Sequence, residues 1–267
     1  GAEPLCDLDN LSLMVDYAEK HDIIIGFSTN GTNTSDKAFN LLKRILTHNL
    51  KLKANNPGFQ ISIDGPERIQ NKYRPLKGGS GSFEKVNSFI LQIEELEEKH
   101  FNNSMLHSLC STIPFDNIEN DYLEAFKWFA EDCGYKSALQ HELSPIRLEN
   151  HVMYTPEMTE VFVKMANEIY KMILSFKRPY LDYYTTKLYY GSCRKNGRVL
   201  CSAGNTQISI DINGDIYLCH GYLSNYKIKP LGYMGNVFDR SVDYTGLISN
   251  IDKMNSSFLH KAVCMDC

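Results

Sequence analysis

The sequence predicts an α/β protein with a parallel sheet, followed by a small cysteine-rich extension that contains a β-hairpin. Three observations predict it. Short apolar runs alternate with longer stretches of helical periodicity at roughly 40-residue spacing, which implies parallel strands joined by helical crossovers. Several apolar runs end in small polar residues and glycine, as loops that touch ligands do. Five of the eight cysteines (Cys193, Cys201, Cys219, Cys264 and Cys267) fall in the last 75 positions, while Cys6, Cys110 and Cys133 lie far apart. A barrel, a part-barrel and a doubly wound sheet all satisfy the alternation. In each, ligands sit at the C-terminal ends of the strands.

Composition narrows the class. The chain has 267 residues, 43% hydrophobic and 22% charged, which is ordinary for a globular protein with ample core. That length suits one large domain, or a large one with a small one. A net charge of −4 gives no electrostatic case for nucleic acid or an anionic membrane. No apolar run approaches the ~20 residues of a membrane-spanning helix. The uneven cysteine distribution argues for reduced thiols and a C-terminal metal module, hence a cytoplasmic protein. Cys6, Cys110 and Cys133 then read as small core residues. The chain opens on Gly1 and ends on Cys267, and neither end looks natural, so we expect a fragment.

In chain order, Gly1-Ala2-Glu3-Pro4-Leu5 reads as a tight turn. A helix comes next, from about Asn10 to His21, with Leu11, Met14, Val15 and Ala18 on one face. Ile23 to Phe27 reads as a buried strand ending in Ser28-Thr29-Asn30-Gly31. Ser35 or Asp36 caps a helix to about His48. Phe59 to Ile63 is the next strand and ends in Asp64-Gly65-Pro66. Beyond a loop with Gly78, Gly79 and Gly81 come a helix (Ser82 to Lys99), a strand (Met105 to Ile113), a helix (Glu119 to Cys133) and a strand (Ser137 to Leu143). A long helix runs from about Glu157 to Ser175, with Pro156 near its start. The glycine loop matches no Walker pattern and reads as a flexible crossing.

At Pro179 the composition turns tyrosine-rich, with Tyr180, Tyr183, Tyr184, Tyr189 and Tyr190, and a boundary is expected near 180. The tyrosines read as interdomain packing. Beyond it, Gln207 to Ile212 and Asp215 to Leu218 flank Asn213-Gly214, the strongest short-range hairpin signal in a sequence. This hairpin would bring Cys201 and Cys219 within reach of each other. Two thiols so placed form a disulfide, a zinc site or an iron–sulfur site.

These stretches together resemble the radical SAM enzymes with a SPASM-type C-terminal extension, particularly the anaerobic sulfatase-maturating enzymes and peptide maturases. Residues 1–5, GAEPL, resemble the family's GGEPL, with Ala2 where the family has Gly. Residues 28–32, STNGT, resemble its TNGT turn. SIDGPERIQNKYRP and then GSGSFEKV resemble its S-[LIV]-D-G-P…YRP…G-x-G-[ST]-F segment. Cys201-x12-Gly214-x4-Cys219 fits its C-x9–15-G-x4-C signature, and LGYMGNVF and Cys264-x2-Cys267 resemble the family's segments downstream of that signature. Each motif alone is weak; six in order are specific.

The resemblance implies a partial (β/α)6 TIM-like barrel over 1–180, N-terminally truncated, and an incomplete SPASM-like auxiliary iron–sulfur region over 181–267. It implies S-adenosylmethionine and [4Fe–4S] clusters as cofactors, a peptide or protein substrate, and a reductant such as ferredoxin or flavodoxin. In the family, one electron cleaves the cofactor and the 5′-deoxyadenosyl radical takes a hydrogen atom from substrate. Glu3 and its backbone would face the cofactor's amino group. Ser62 and Asp64 could reach the ribose or the methionine carboxylate, although Asp64 also suits an Asp-Gly turn. Arg74 could hold a carboxylate as a bidentate fork. Thr29 and Asn30 are further cofactor-binding candidates. Cys193, Cys201, Cys219, Cys264 and Cys267 would ligate auxiliary clusters, with a zinc knuckle the competing assignment for the hairpin pair. His220 stands where the sulfatase maturases carry an Asp proposed as general base, and its ordinary pKa of ~6.5 suits a proton acceptor. The family's C-x3-C-x2-C run is absent from the 267 residues, so the first cluster's ligands are expected outside them and the chain alone is expected not to cleave the cofactor. A non-catalytic barrel relative that binds a peptide, and a zinc-binding structural protein, are the alternative readings.

Overall fold

The computed structural model describes residues 3–54, 58–103, 106–114, 118–137, 142–146, 156–175, 208–217 and 232–239. The chain divides into two compact units, residues 1–190 and 191–267. Among the described residues no helix is long and apolar enough to cross a membrane.

The first unit holds a four-stranded parallel sheet in the order β1 (Ser28–Thr29), β2 (Gln60–Ser62), β3 (Ser108–Pro114) and β4 (Glu142–Ile146). Thr29 aligns with Ile61, Ser62 with Cys110, and Thr112 with Ser144, so the C-terminal ends of neighbouring strands lie side by side. Helix α1 (Leu8–Lys20) precedes β1; the crossovers are α2 (Asp36–Lys51), α3 (Glu67–Tyr73) with α4 (Phe83–Phe101), and α5 (Leu123–Lys127), and α6 (Pro156–Ser175) follows β4. The α/β class and the parallel sheet therefore stand as expected.

Local chemistry sets these elements. Asp7 caps α1 by accepting from the Asn10 N–H at 3.2 Å, and Ser35 caps α2 by accepting from the Ala38 N–H at 3.3 Å. Helix α2 turns Leu42, Ile45 and Leu46 inward at i, i+3, i+4 spacing, and α4 does the same with Val86, Phe89 and Ile90. They meet Ile61, Leu109 and Ile113 of the sheet and Ile63 just past β2, all fully buried. Each such side chain stabilises the fold by roughly 1.5–3 kcal/mol relative to exposure. Ile61→Ala, at the centre, costs about 2–5 kcal/mol. At the start of β3 the His107 Nδ1 lies 2.9 Å from Glu97 Oε1, and the Leu106 N–H donates to Glu97 Oε2 at 3.1 Å. Both side chains are fully buried, which ties the end of α4 to this strand.

Several expectations are corrected. Residues 23–27 form no strand. Asn49 of α2 donates to the Ile25 carbonyl and accepts its N–H, and a His48 ring nitrogen meets the Ile23 carbonyl at 2.9 Å. Side chains thus take Ile23 and Ile25 backbone groups that a ladder would use; the Phe27 carbonyl accepts from the Gln60 N–H at 2.9 Å, and the ladder with β2 covers Ser28–Thr29. Met14 is exposed, not buried with Leu11, Val15 and Ala18; it shares an open apolar flank with Leu13, Tyr17, Ile23 and Ile24. Cys6 is exposed at the end of a 3₁₀ turn (Pro4–Cys6), and Cys110 and Cys133 are half-buried. The expected helix 119–133 is α5 flanked by π-helical turns Ile118–Tyr122 and Trp128–Asp132. Its buried Tyr122, Ala125, Phe126, Phe129 and Ala130 suit either hydrogen-bond spacing, so their pattern does not separate the two. Helix α3 had no expectation, being a single seven-residue piece.

In the second unit, β5 (Ser209–Ile210), β6 (Asp215–Tyr217) and β7 (Tyr233–Asn236) form an antiparallel sheet in that order. The hairpin is present, with Ile210 opposite Ile216. Its turn is one residue longer than Asn213-Gly214. The Asp211 N–H donates to the Asp215 carbonyl at 2.9 Å, and the Asp211 carboxylate accepts from the Asn213 and Asp215 N–H groups. Gly214 sits at φ +81, as the last residue of a three-residue hairpin turn requires. A Cβ there would also approach Phe238 to 2.7 Å.

Candidate cofactor site

Two clusters of polar side chains form where β1, β2 and β3 end. The first joins the N-terminal turn to the loop after β1. Glu3 caps the 3₁₀ turn, accepting the Leu5 N–H at 3.1 Å. The same Oε1 accepts from the Thr29 hydroxyl at 2.6 Å, and Oε2 accepts from the Asn30 N–H at 2.6 Å. Thr29 is buried and its hydroxyl accepts from the Gly31 N–H at 3.2 Å. Asn30 folds its own loop, accepting from the N–H and hydroxyl of Thr32. Asn33 donates to the Leu5 carbonyl at 2.6 Å. The structure thus brings Glu3, Thr29 and Asn30 together.

The second cluster joins the ends of β2 and β3. Asp64 is 1% exposed, and every polar group it has is engaged. Its N–H donates to Gln70 Oε1 at 2.8 Å and its carbonyl accepts from the Ser111 hydroxyl at 3.0 Å. Oδ1 accepts from the Thr112 N–H at 2.9 Å and Oδ2 from Arg74 Nε at 2.8 Å. Burial pushes the Asp64 carboxyl above the ordinary carboxylate range, against the pull of Arg74 and Thr112. Arg74 also donates from Nη2 to the Thr112 hydroxyl at 2.7 Å. Ser62 is half-buried at the end of β2, two residues before Asp64.

Asp121 anchors α3, the helix that leads into Arg74. It is buried and accepts from Arg68 at 2.8 Å, from Lys72 at 2.8 Å and from the Tyr73 hydroxyl. Burial alone would raise its carboxyl, but the Lys72, Tyr73 and Arg68 donors outweigh that and hold it down at about 2. Burial and the Asp121 carboxylate push the Tyr73 hydroxyl up. Gln70 continues the network by donating to the Ser82 hydroxyl at 2.9 Å, which links this end of the sheet to the start of α4.

Thr29 and Asn30 lie at the end of β1, where Glu3 of the N-terminal turn reaches them; Ser62 and Asp64 lie at the end of β2, where Arg74, the residue that closes α3, reaches Asp64. Sequence reasoning missed Thr112, Ser111, Gln70 and Asp121. Thr112 sits in a strand that mixes Ser and Thr with apolar residues and has nothing local to mark it, and Asp121 reads as one acid among many on a helix. His220, Cys193, Cys201, Cys219, Cys264 and Cys267 lie outside the described residues. Among the described residues no three His, Cys, Asp or Glu side chains gather in a way that could hold a metal.

The donor set suits S-adenosylmethionine. The Arg74 guanidinium is partly exposed and can meet a carboxylate, at the ligand-binding end of a parallel sheet. No protein-family model and no curated protein matches the chain. Solved structures do. The chain is similar to the AdoMet-bound structure of the hexahistidine-tagged anaerobic sulfatase-maturing enzyme anSMEcpe, at 20% identity and a TM-score of 0.65, covering 100% of this chain and 70% of that one. The structure of native anSMEcpe with bound AdoMet and a Cp18Cys peptide matches at 18% identity and a TM-score of 0.67, covering 100% and 71%. Streptococcus suis SuiB bound to S-adenosylmethionine matches at 12% identity and a TM-score of 0.53, covering 93% and 55%. Both proteins are radical SAM/SPASM peptide maturases, the group that the sequence motifs resemble. At these identities the likeness is one of fold.

Proposed function

We propose that this chain is part of a radical SAM maturase that modifies a peptide or protein side chain. The observation that carries the reading is the convergence of two clusters, Glu3 with Thr29 and Asn30 and Asp64 with Arg74, at one end of a sheet whose fold matches AdoMet-bound structures along the whole chain. In this reading residues 1–180 form a partial barrel and 181–267 a SPASM-like region. Arg74 and Ser62 hold the methionine carboxylate. The Glu3 carboxylate braces the N-terminal turn against the β1 loop, leaving nearby backbone groups to meet the amino group. When bound and reduced by one electron, S-adenosylmethionine supplies the 5′-deoxyadenosyl group that abstracts hydrogen. Cys193, Cys201, Cys219, Cys264 and Cys267 provide thiolates for auxiliary [4Fe–4S] clusters, as cysteine-held clusters require. His220 takes the substrate proton. The substrate is a peptide, as the Cp18Cys and Kp18Cys peptides bound to anSMEcpe suggest. A ferredoxin or flavodoxin is the electron source, and the setting is the cytoplasm.

The test is anaerobic. The protein is expressed from its complete reading frame, analysed for iron and zinc, and incubated with dithionite and S-adenosylmethionine. Bound iron with release of 5′-deoxyadenosine is expected. Zinc without iron, and an intact cofactor, would overturn the reading in favour of a structural or peptide-binding protein.

A further inference from the structure

The geometry points to Asp64, with Thr112, as the device that aims the Arg74 guanidinium at a ligand carboxylate; this rests on the function proposed above. Asp64 is turned inward, to the protein. Its N–H, carbonyl and both carboxylate oxygens are engaged by Gln70, Ser111, Thr112 and Arg74, and it is 1% exposed. Arg74 is different. Its side chain is 30% exposed, and its five N–H donors are only partly used. Nε donates to Asp64 and one Nη2 hydrogen donates to Thr112, at 2.8 and 2.7 Å. Those two contacts fix the plane and rotation of the guanidinium from behind. They leave both Nη1 hydrogens and one Nη2 hydrogen, the edge that forms a two-pronged fork for a carboxylate. A flexible arginine would lose rotamer freedom on binding, whereas this one is already held. Asp64 is held just as firmly, since Gln70 and Ser111 grip its backbone. The chain of support runs from the sheet through Asp64 to the open edge of Arg74.

This role makes a selective prediction. Asp64→Asn keeps the shape but loses the charged contact to Nε, and should weaken binding only of ligands that present a carboxylate. The full-length protein is titrated with S-adenosylmethionine and with its decarboxylated analogue, which lacks the group that Arg74 would meet. Asp64→Asn should weaken S-adenosylmethionine about 10-fold and leave the analogue within about 2-fold of wild type. Thr112→Val keeps the backbone N–H to Asp64, removes the hydroxyl, and should weaken S-adenosylmethionine about 3-fold with the same selectivity. In an Arg74→Ala background, Asp64→Asn should have no further effect. Equal weakening of both ligands, or none of either, overturns the positioning role and leaves the functional reading standing. If Asp64→Asn does not fold, Thr112→Val decides, alone and in the Arg74→Ala background, where it should have no further effect. Failure of the wild-type protein to bind S-adenosylmethionine at all overturns the functional reading, and this inference with it.

Discussion

Asp121→Asn tests the network behind the candidate site. The substitution preserves shape and removes the charge that Arg68, Lys72 and Tyr73 share. In the fold the Asp121 carboxyl is held at about 2, against an ordinary value of 3.8. A difference of that size corresponds to roughly 2 kcal/mol favouring the charged form in the fold. Asp121 is 5% exposed, but Arg68 and Lys72 are 54% and 41% exposed, and water screens their share. We therefore expect a loss of about 1–2 kcal/mol at neutral pH. The pH dependence comes from the direction of the shift. A carboxyl lowered in the fold stabilises above its unfolded value and stops doing so as pH falls through its folded value. The gap between wild type and Asp121→Asn should be full at pH 7 and close between about pH 4 and pH 2. Urea unfolding monitored by circular dichroism at several pH values measures it. A gap that is absent at pH 7, or that persists unchanged at pH 2, shows that the Asp121 charge does not brace α3.

Three further outcomes are expected. A Cβ at Gly58 would sit 1.7 Å from the Leu106 carbonyl oxygen, so Gly58→Ala must push apart the starts of β2 and β3; a loss of about 2–4 kcal/mol in urea unfolding checks it, and a neutral result contradicts the packing. Glu3→Ala removes the acceptor for the Thr29 hydroxyl and the Asn30 N–H, and hydrogen exchange at the Asn30 amide should quicken by about 10-fold or more, a local loss of about 1.5–3 kcal/mol. Cys219→Ser should lower iron content and the absorbance of the auxiliary cluster in the full-length protein; unchanged iron removes Cys219 from the proposed ligands.

The parts of the fold legible in the sequence are those with strong local signals. Ser35 marks the start of α2, Gly214 marks the hairpin, and Phe59 to Ile63 reads as a strand because it is a continuous apolar run of strand length. The failures share a cause. Ile23 to Phe27 has strand composition, but Asn49 and His48, some 25 residues away, occupy its backbone groups. Met14 has the right helical phase but faces the open flank rather than the sheet. At the site, Asp64 can be singled out because loops after apolar runs mark strand ends, whereas Glu3 and Arg74 stand out only through the resemblance of residues 1–5 and 62–75 to family motifs. Their partners cannot. Nothing near Thr112 shows that its N–H and hydroxyl meet residues 48 and 38 positions earlier. A carboxylate at the end of β2 is placed by the sequence where it could reach a ligand directly; the structure turns the Asp64 carboxylate to Thr112 and Arg74 instead.

The decisive measurement is a crystal structure of the full-length protein with S-adenosylmethionine. The cofactor is expected at the C-terminal ends of β1–β3, its methionine carboxylate within hydrogen-bond reach of Arg74 and Ser62, and its amino group against the turn that Glu3 braces. A cofactor bound elsewhere, or none at saturating concentration with Arg74 open to solvent, would contradict the proposed site.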